Sequence, residues 1–343
     1  MSRSFRDMKN PFGLSVRVRY GYLGLRAVWE KICTKNPRVL PLQRFDYYKW
    51  LFLSFYAKRL VSRWRILFYH LSDGKEDCIV PLVVNDKKRI IRGLSNFGRL
   101  DYEDVISSTD DASFVRNCLE VVLNGYKGYT LHLMNINESS MLYKALGERM
   151  EFLENCVTID IPSDFEEYIS GLSKHQRQNI RTAYNKLSKE GFDICLKHYD
   201  ESTGIPRKLW QQCQQMYEGR HSAPGSRFKI WIERQRNPYT RILHTVKGWQ
   251  VFVLFHDETP ISYMAGLSGK EQNCYFVPRL CIDSIYFKYS PGIVLLVETI
   301  RQIIDQGIGH LDLMLGDEPY KTAMGGRIHR NFELKCKVDE LLG

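Results

Sequence analysis

The strongest constraint on this chain is an order of elements that it runs through twice. In the first pass two strand-like runs, 65–71 and 78–84, flank the turn pair Asp73-Gly74. A further strand over 89–97 follows the polar turn Asn85-Asp86-Lys87-Lys88. A helix from 111 to 123 comes next, with Phe114, Cys118, Leu119, Val122 and Leu123 on one stripe. Asp110 or Asp111 suits its start and Gly125 its stop, and an alternating strand over 129–134 closes the pass. In the second pass the runs 251–255 and 261–267 flank Asp257-Glu258, and 275–282 supplies another strand. The span 292–306 reads as a helix ended by Gly307, and 310–315 closes the set. The closing strands echo each other, as Leu131-His132-Leu133-Met134 and Leu311-Asp312-Leu313-Met314. A chain that repeats this order predicts two similar α/β halves, here drawn at 1–150 and 151–343. Its 343 residues also exceed the ~250 at which single cores stop growing.

Several classes are excluded early. No stretch reaches the ~18 uncharged apolar residues of a spanning helix, and Arg17, Arg19 and Arg26 interrupt every candidate signal core, so a cytoplasmic protein is expected. Nine cysteines, none in a C-x-x-C pair and most inside apolar strings, read as reduced core thiols, and no metal site is expected. The chain has no G-x-S-x-G elbow, no G-x-x-x-x-G-K-[ST] loop and no H-E-x-x-H helix.

Charge is unevenly spread. Residues 1–70 hold 15 Lys and Arg against 3 Asp and Glu, a balance of +12, whereas the whole chain stands at +10. The basic front segment therefore either attracts an anionic partner, whether lipid headgroups, nucleic acid or a phosphorylated substrate, or serves as a solvated face.

Three further segments can carry chemistry. The polar helix 172–190 places Arg177 and Arg181 one turn apart, a fork for phosphate or carboxylate or else a solvated surface; Ser170 or Ser173 suits its cap and Gly191 its end. Ser290-Pro291-Gly292, followed by Ile293 and Val294, joins an aromatic-rich segment to a helix. Its free N–H groups and positive dipole end suit a pyrophosphate, although proline and glycine are also ordinary at helix starts. After the last strand, Gly316-Asp317-Glu318-Pro319-Tyr320-Lys321 gathers two acids, a phenol and an ammonium, as a reactive loop or a plain charged turn.

Taken in order, Pro81-Leu82, Asp101-Tyr102-x-Asp104, Ser173-Lys174-x-x-Arg177-x-x-x-Arg181, Tyr289-Ser290-Pro291-Gly292 and Asp312-x-x-x-Gly316-Asp317-Glu318-x-Tyr320-Lys321 resemble the GNAT-fold acyltransferases related to the CelD/BcsL proteins of bacterial cellulose and exopolysaccharide biosynthesis. The match runs from about residue 40 to 330. FemAB-type tandem-GNAT aminoacyltransferases share the plan. The turn departs from the commoner GNAT pattern Q/R-x-x-G-x-G/A.

The resemblance implies tandem GNAT-like halves, each a mixed, mostly antiparallel sheet flanked by helices. The second half would carry an acyl-CoA site: pantetheine between strands 275–282 and 310–315, and pyrophosphate on Ser290, Pro291, Gly292, Ile293 and Val294. It further implies direct transfer from acetyl-CoA or another acyl-CoA to an amine or hydroxyl of a sugar or polysaccharide precursor. Lys321 would stabilise the oxyanion, with Asp317 as base and Tyr320 as alternative proton carrier. Asp101 and Asp104 would bind sugar hydroxyls, and Arg177 and Arg181 an anionic group. The alternatives are an aminoacyl-tRNA donor and a non-catalytic accessory held at the inner membrane face through residues 1–70.

Overall fold

The computed structural model describes residues 10–59, 63–97, 100–221 and 243–343. The chain divides into two compact units, Met1–Asn155 with His329–Gly343, and Cys156–Ile328. The division thus falls after Asn155, and the last fifteen residues belong with the first unit, where a boundary at 150 had given them to the second.

The described part of unit 1 begins with β1 (Ser15–Arg19), α1 (Arg26–Lys35) and α2 (Phe45–Arg59). Trp29 of α1 is fully buried, stacked edge-on against Phe45 and Phe68, and its indole N–H donates to the Gln43 carbonyl at 2.9 Å. β2 (Arg65–Ser72) and β3 (Asp77–Asn85) form the expected hairpin, in register from Arg65↔Val84 to Ser72↔Asp77, with β1 antiparallel on its outer side. β3 is buried at every position, as an interior strand covered on both faces should be. β4 (Ile90–Arg92) is shorter than the strand read over 89–97, because Ser95–Phe97 tightens into a 3-10 turn. β5 (Ile106–Ser107) precedes α3 (Ala112–Asn124), whose start is capped by the Asp111 carboxylate accepting from Ser113 N at 2.8 Å. β6 (Thr130–Asn137) then runs parallel to β4, and α4 (Met141–Leu146) follows. Val115, Cys118, Leu119 and Val122 of α3 pack with Tyr69, Val80 and Leu82 into the core of this unit.

Unit 2 comprises the second half of β7 (Glu151–Asp160), then α5 (Phe165–Gly171), α6 (Lys174–Lys189), β8 (Ile194–Asp200), α7 (Arg207–His221), β9 (Trp249–His256), β10 (Thr259–Gly269), β11 (Cys274–Ile282), α8 (Pro291–Asp305), β12 (His310–Leu315) and α9 (Pro319–Ala323). Its strands lie in the order β7-β12-β11-β10-β9-β8, and every described neighbour pair is antiparallel except β11 with β12. The apolar stripe of α8, Val294, Leu295, Val297, Ile300 and Ile303, packs with Phe252, Leu254, Met264 and Tyr275 of the sheet.

The chain returns to unit 1 through β13 (Gly326–Lys337), which pairs antiparallel with β6 from Asn331↔Asn137 to Lys337↔Thr130, and ends in α10 (Val338–Leu342). Leu334 and Val338 enter the unit 1 core. Among the described residues no helix is long and apolar enough to cross a membrane, and no group of His, Cys, Asp or Glu is placed to hold a metal ion.

Candidate active site

β11 and β12 run side by side for only three rungs, Cys274↔His310, Tyr275↔Leu311 and Phe276↔Asp312. Beyond them each strand keeps its outer partner: β11 stays on β10 as far as Ser262↔Ile282, and β12 stays on β7 as far as Leu315↔Cys156. The two parallel strands therefore fork. Both strands are irregular there: β12 shifts register between Asp312 and Leu315, with Met314 at φ +58°, and β11 carries an extra residue just past Phe276, where its pairing with β10 steps from Leu267↔Phe276 to Ala265↔Arg279. A bulge of this kind bends its strand and sharpens the local twist. Asp312, almost fully buried at the last shared rung, holds the bulge by accepting from Met314 N at 2.7 Å.

Lys321 holds the same bulge from the other side. Only 3% of this residue is exposed. Its ammonium donates to the carbonyls of Leu313 (3.0 Å), Leu315 (2.6 Å) and Gly316 (3.0 Å), and lies 2.9 Å from the exposed carboxylate of Glu318. An ammonium has three N–H donors, and three carbonyls occupy them. The oxyanion role expected from sequence is corrected accordingly: Lys321 is a clamp on the bent end of β12, with no donor left for a thioester carbonyl. α9 is itself anchored, since the Tyr168 hydroxyl donates to the Met324 carbonyl and the Gln176 amide reaches the Met324 sulfur, both at 2.9 Å.

The turn at 290–294 sits at the far end of β11. Asp283 accepts from Ile285 N to start a 3-10 turn over Ser284–Tyr289, and the Tyr289 ring rests edge-on against Phe192. Ser290 is left-handed (φ +59°), and Pro291 starts α8 with no side-chain cap and no acid in its first turn. The leading N–H groups thus meet neither a capping side chain nor a like-placed negative charge, which suits an incoming anion. A Cβ on Gly292 would come within 2.5 Å of Ile282 Cδ1, so glycine seats the helix start directly against the end of β11. Sequence reasoning missed two cations beside this turn. Lys186 of α6 donates to the Lys288 carbonyl at 3.2 Å, bringing its ammonium to the rim, and Lys288 itself is exposed. Neither lysine falls in a motif, and only the fold of α6 against the 284–289 turn brings them together.

The remaining expected residues divide. Asp317 is exposed in the loop after β12, and Tyr320 is exposed on α9. Arg177 is corrected from a phosphate fork to a helix cap: its guanidinium donates to the carbonyls of Ser170 and Leu172 at the end of α5, at 2.8 and 2.6 Å. Arg181 is exposed and makes no ion pair among the described residues. Asp104 is corrected from a sugar ligand to a buried anchor in unit 1. Its oxygens accept from the N–H groups of Val105, Met141 and Leu142, tying down the start of α4, and burial raises its pKa to about 6. Asp101, half-buried, receives a hydrogen bond on its carbonyl from Asn331 at 3.0 Å.

Comparison with known proteins agrees with this geometry. Residues 174–322, which include the fork, the turn and Lys321, match the family described as acetyltransferase (GNAT) domain. Among solved structures the whole chain is similar to FemX, at 9% identity over 92% of this chain and 97% of that one, with a TM-score of 0.56. It is also similar to L-PGS from Bacillus licheniformis (12% identity, 91% and 92% covered, TM-score 0.52). A conserved protein of unknown function from Bacteroides thetaiotaomicron VPI-5482 aligns over 94% of this chain and all of its own (12% identity, TM-score 0.51). At such identities the likeness is one of fold. The search of curated proteins finds no match. The fold is that of the GNAT acyltransferases.

Proposed function

We propose that this chain is an acyl-CoA-dependent acyltransferase whose donor lies in unit 2, pantetheine along the inner edge of β11 and pyrophosphate on the start of α8. The observation that carries the reading is the fork past Phe276 and Asp312, with Gly292 seating the α8 N-terminus on Ile282 at its far end. An extended thioester arm can add to the unshared edge of β11 as a short strand, while its phosphates meet the uncapped start of α8 and the ammonium of Lys186.

The reaction is a direct displacement. An amine or hydroxyl of the acceptor attacks the thioester carbonyl, the C–N or C–O bond forms, the C–S bond breaks, and coenzyme A leaves as the thiolate. The acceptor's proton passes to Asp317, with Tyr320 as alternative carrier; both are exposed and so within reach of an incoming acceptor. Lys321 acts as a positioning residue that keeps β12 bent away from β11. The acceptor class is a sugar amine or hydroxyl of a polysaccharide precursor, supported by the resemblance to the CelD/BcsL-like transferases. The competing donor, aminoacyl-tRNA, is supported by the resemblance to FemAB-type enzymes.

Calorimetric titration decides between the donors. Acetyl-CoA and free coenzyme A are both expected to bind at one site, and Ser290→Asp to weaken both. Absence of heat with either, together with retention of aminoacyl-tRNA, overturns the acyl-CoA reading.

A further inference from the structure

The basic front of the chain is not uniformly basic once folded. Arg26, Lys31, Lys35, Arg38 and Arg65 each meet a carboxylate within unit 1. Arg17 and Arg19 make no ion pair among the described residues; both stand on the exposed side of β1, while Val16 and Val18 face the core. β1 leads directly into the loop Tyr20-Gly21-Tyr22-Leu23-Gly24. Gly21 and Gly24, at φ +131° and +77°, turn this loop outward so that Leu23 is 78% and Tyr20 59% exposed. A hollow of about 370 Å³ opens there, lined by Tyr20, Tyr22, Leu23, Phe52 and Leu53, with Arg19 at its rim.

We infer that this loop and the two unpaired arginines form a docking surface for an anionic phospholipid bilayer. The charge complementarity is local: five of the described cations elsewhere in the front segment already meet carboxylates of the protein, whereas the pair beside the apolar loop is left for an outside partner. A projecting leucine, tyrosines at the water interface and a hollow lined by hydrocarbon and rings suit headgroups and upper acyl chain, with the arginines at phosphate level. An RNA partner would need open aromatic faces for stacking, but the Tyr20 ring already lies beneath the Arg65 guanidinium, 5.8 Å from its centre. A small apolar insertion with two cations gives reversible, peripheral attachment.

Flotation of the full chain with vesicles of phosphatidylcholine, with and without phosphatidylglycerol, tests this. Binding is expected only to the anionic vesicles and is lost as salt rises. Arg17→Gln with Arg19→Gln should lower partitioning roughly 30-fold, and Leu23→Asn about ten-fold, both with unchanged thermal melting because the sites are exposed. Equal binding to neutral vesicles, or undiminished binding by both variants, overturns the assignment. So does retention of tRNA that depends on these arginines while vesicles are ignored.

Discussion

Among the described residues each unit contains one parallel strand pair, and the two pairs are built alike. In unit 1 β4 and β6 share the rungs Ile90↔Thr130, Ile91↔Leu131 and Arg92↔His132; in unit 2 β11 and β12 share Cys274↔His310, Tyr275↔Leu311 and Phe276↔Asp312. Leu131 and Leu311, the leading residues of the internal echo, occupy the same middle rung. Both second strands then bend at a left-handed residue, Asn135 (φ +55°) or Met314 (φ +58°). Past the bend the two units diverge. In unit 1 the protein fills its own fork: Glu103 N donates to the Asn135 carbonyl at 2.9 Å, the Ser95 hydroxyl to the Met134 carbonyl at 2.7 Å, and the Asn135 amide to the Leu100 carbonyl at 3.1 Å. The helix between its parallel strands, α3, starts at an acid, Asp111, whereas α8 starts uncapped at Ser290. One scaffold has thus been closed with chain in the first unit and left with a ligand-ready helix start in the second, so a donor is expected in unit 2 alone.

That contrast can be broken most severely at Lys321. Replacing it with Met strips three carbonyls of their shared donor, and unit 2 is expected to lose about 3 kcal/mol, read by thermal or denaturant unfolding. Donor affinity should fall with it, because β12 is freed to straighten; a Lys321→Met protein of unchanged stability would rule out the clamp. A milder change makes the second unit resemble the first: Ser290→Asp gives α8 the acidic start of α3. Asp tolerates the left-handed conformation, so melting should hold while affinity for coenzyme A drops at least ~10-fold. Unaltered binding would show that the phosphates rest elsewhere.

Unit 1 can be probed by pH. Burial raises the carboxyls of Glu103 and Asp104 to about 7 and about 6, so the folded chain holds protons that the unfolded chain has released. Stability contributed by unit 1 should therefore fall as pH rises from about 4 to 7, and Glu103→Gln should flatten that slope, by on the order of 2 kcal/mol across the window. A slope that the variant leaves intact would place the titration elsewhere. The smallest effect is expected from Arg177→Ala, a loss of about 1 kcal/mol from the end of α5 with donor affinity untouched; weakened binding at full stability would restore the phosphate role.

Local signals carried much of the fold into the sequence. Asp73-Gly74 marked the hairpin of β2 and β3, Asp111 and Gly125 bracketed α3, and the stripe of α8 together with Ser290-Pro291-Gly292 marked the helix start at the candidate site. The features that remained hidden depend on partners distant in the chain. α2 has apolar residues all round, with Tyr47, Tyr48 and Leu51 buried while Leu53 is exposed, so no period betrayed it. Ser95, Leu100 and Glu103 acquire their meaning only beside β6. Spacing put Lys321 near the end of β12 and Arg177 one turn from Arg181, yet it could not say that backbone carbonyls would claim both cations. Direction, more than proximity, was what the sequence withheld.

The return of β13 to the first unit also orders the birth of the molecule. Residues 156–328 have all left the ribosome before Leu334 and Val338 arrive to complete the core of unit 1. The later-coded unit can therefore finish folding first, while the earlier one waits with its β6 edge uncovered, open to mispairing until the final strand emerges.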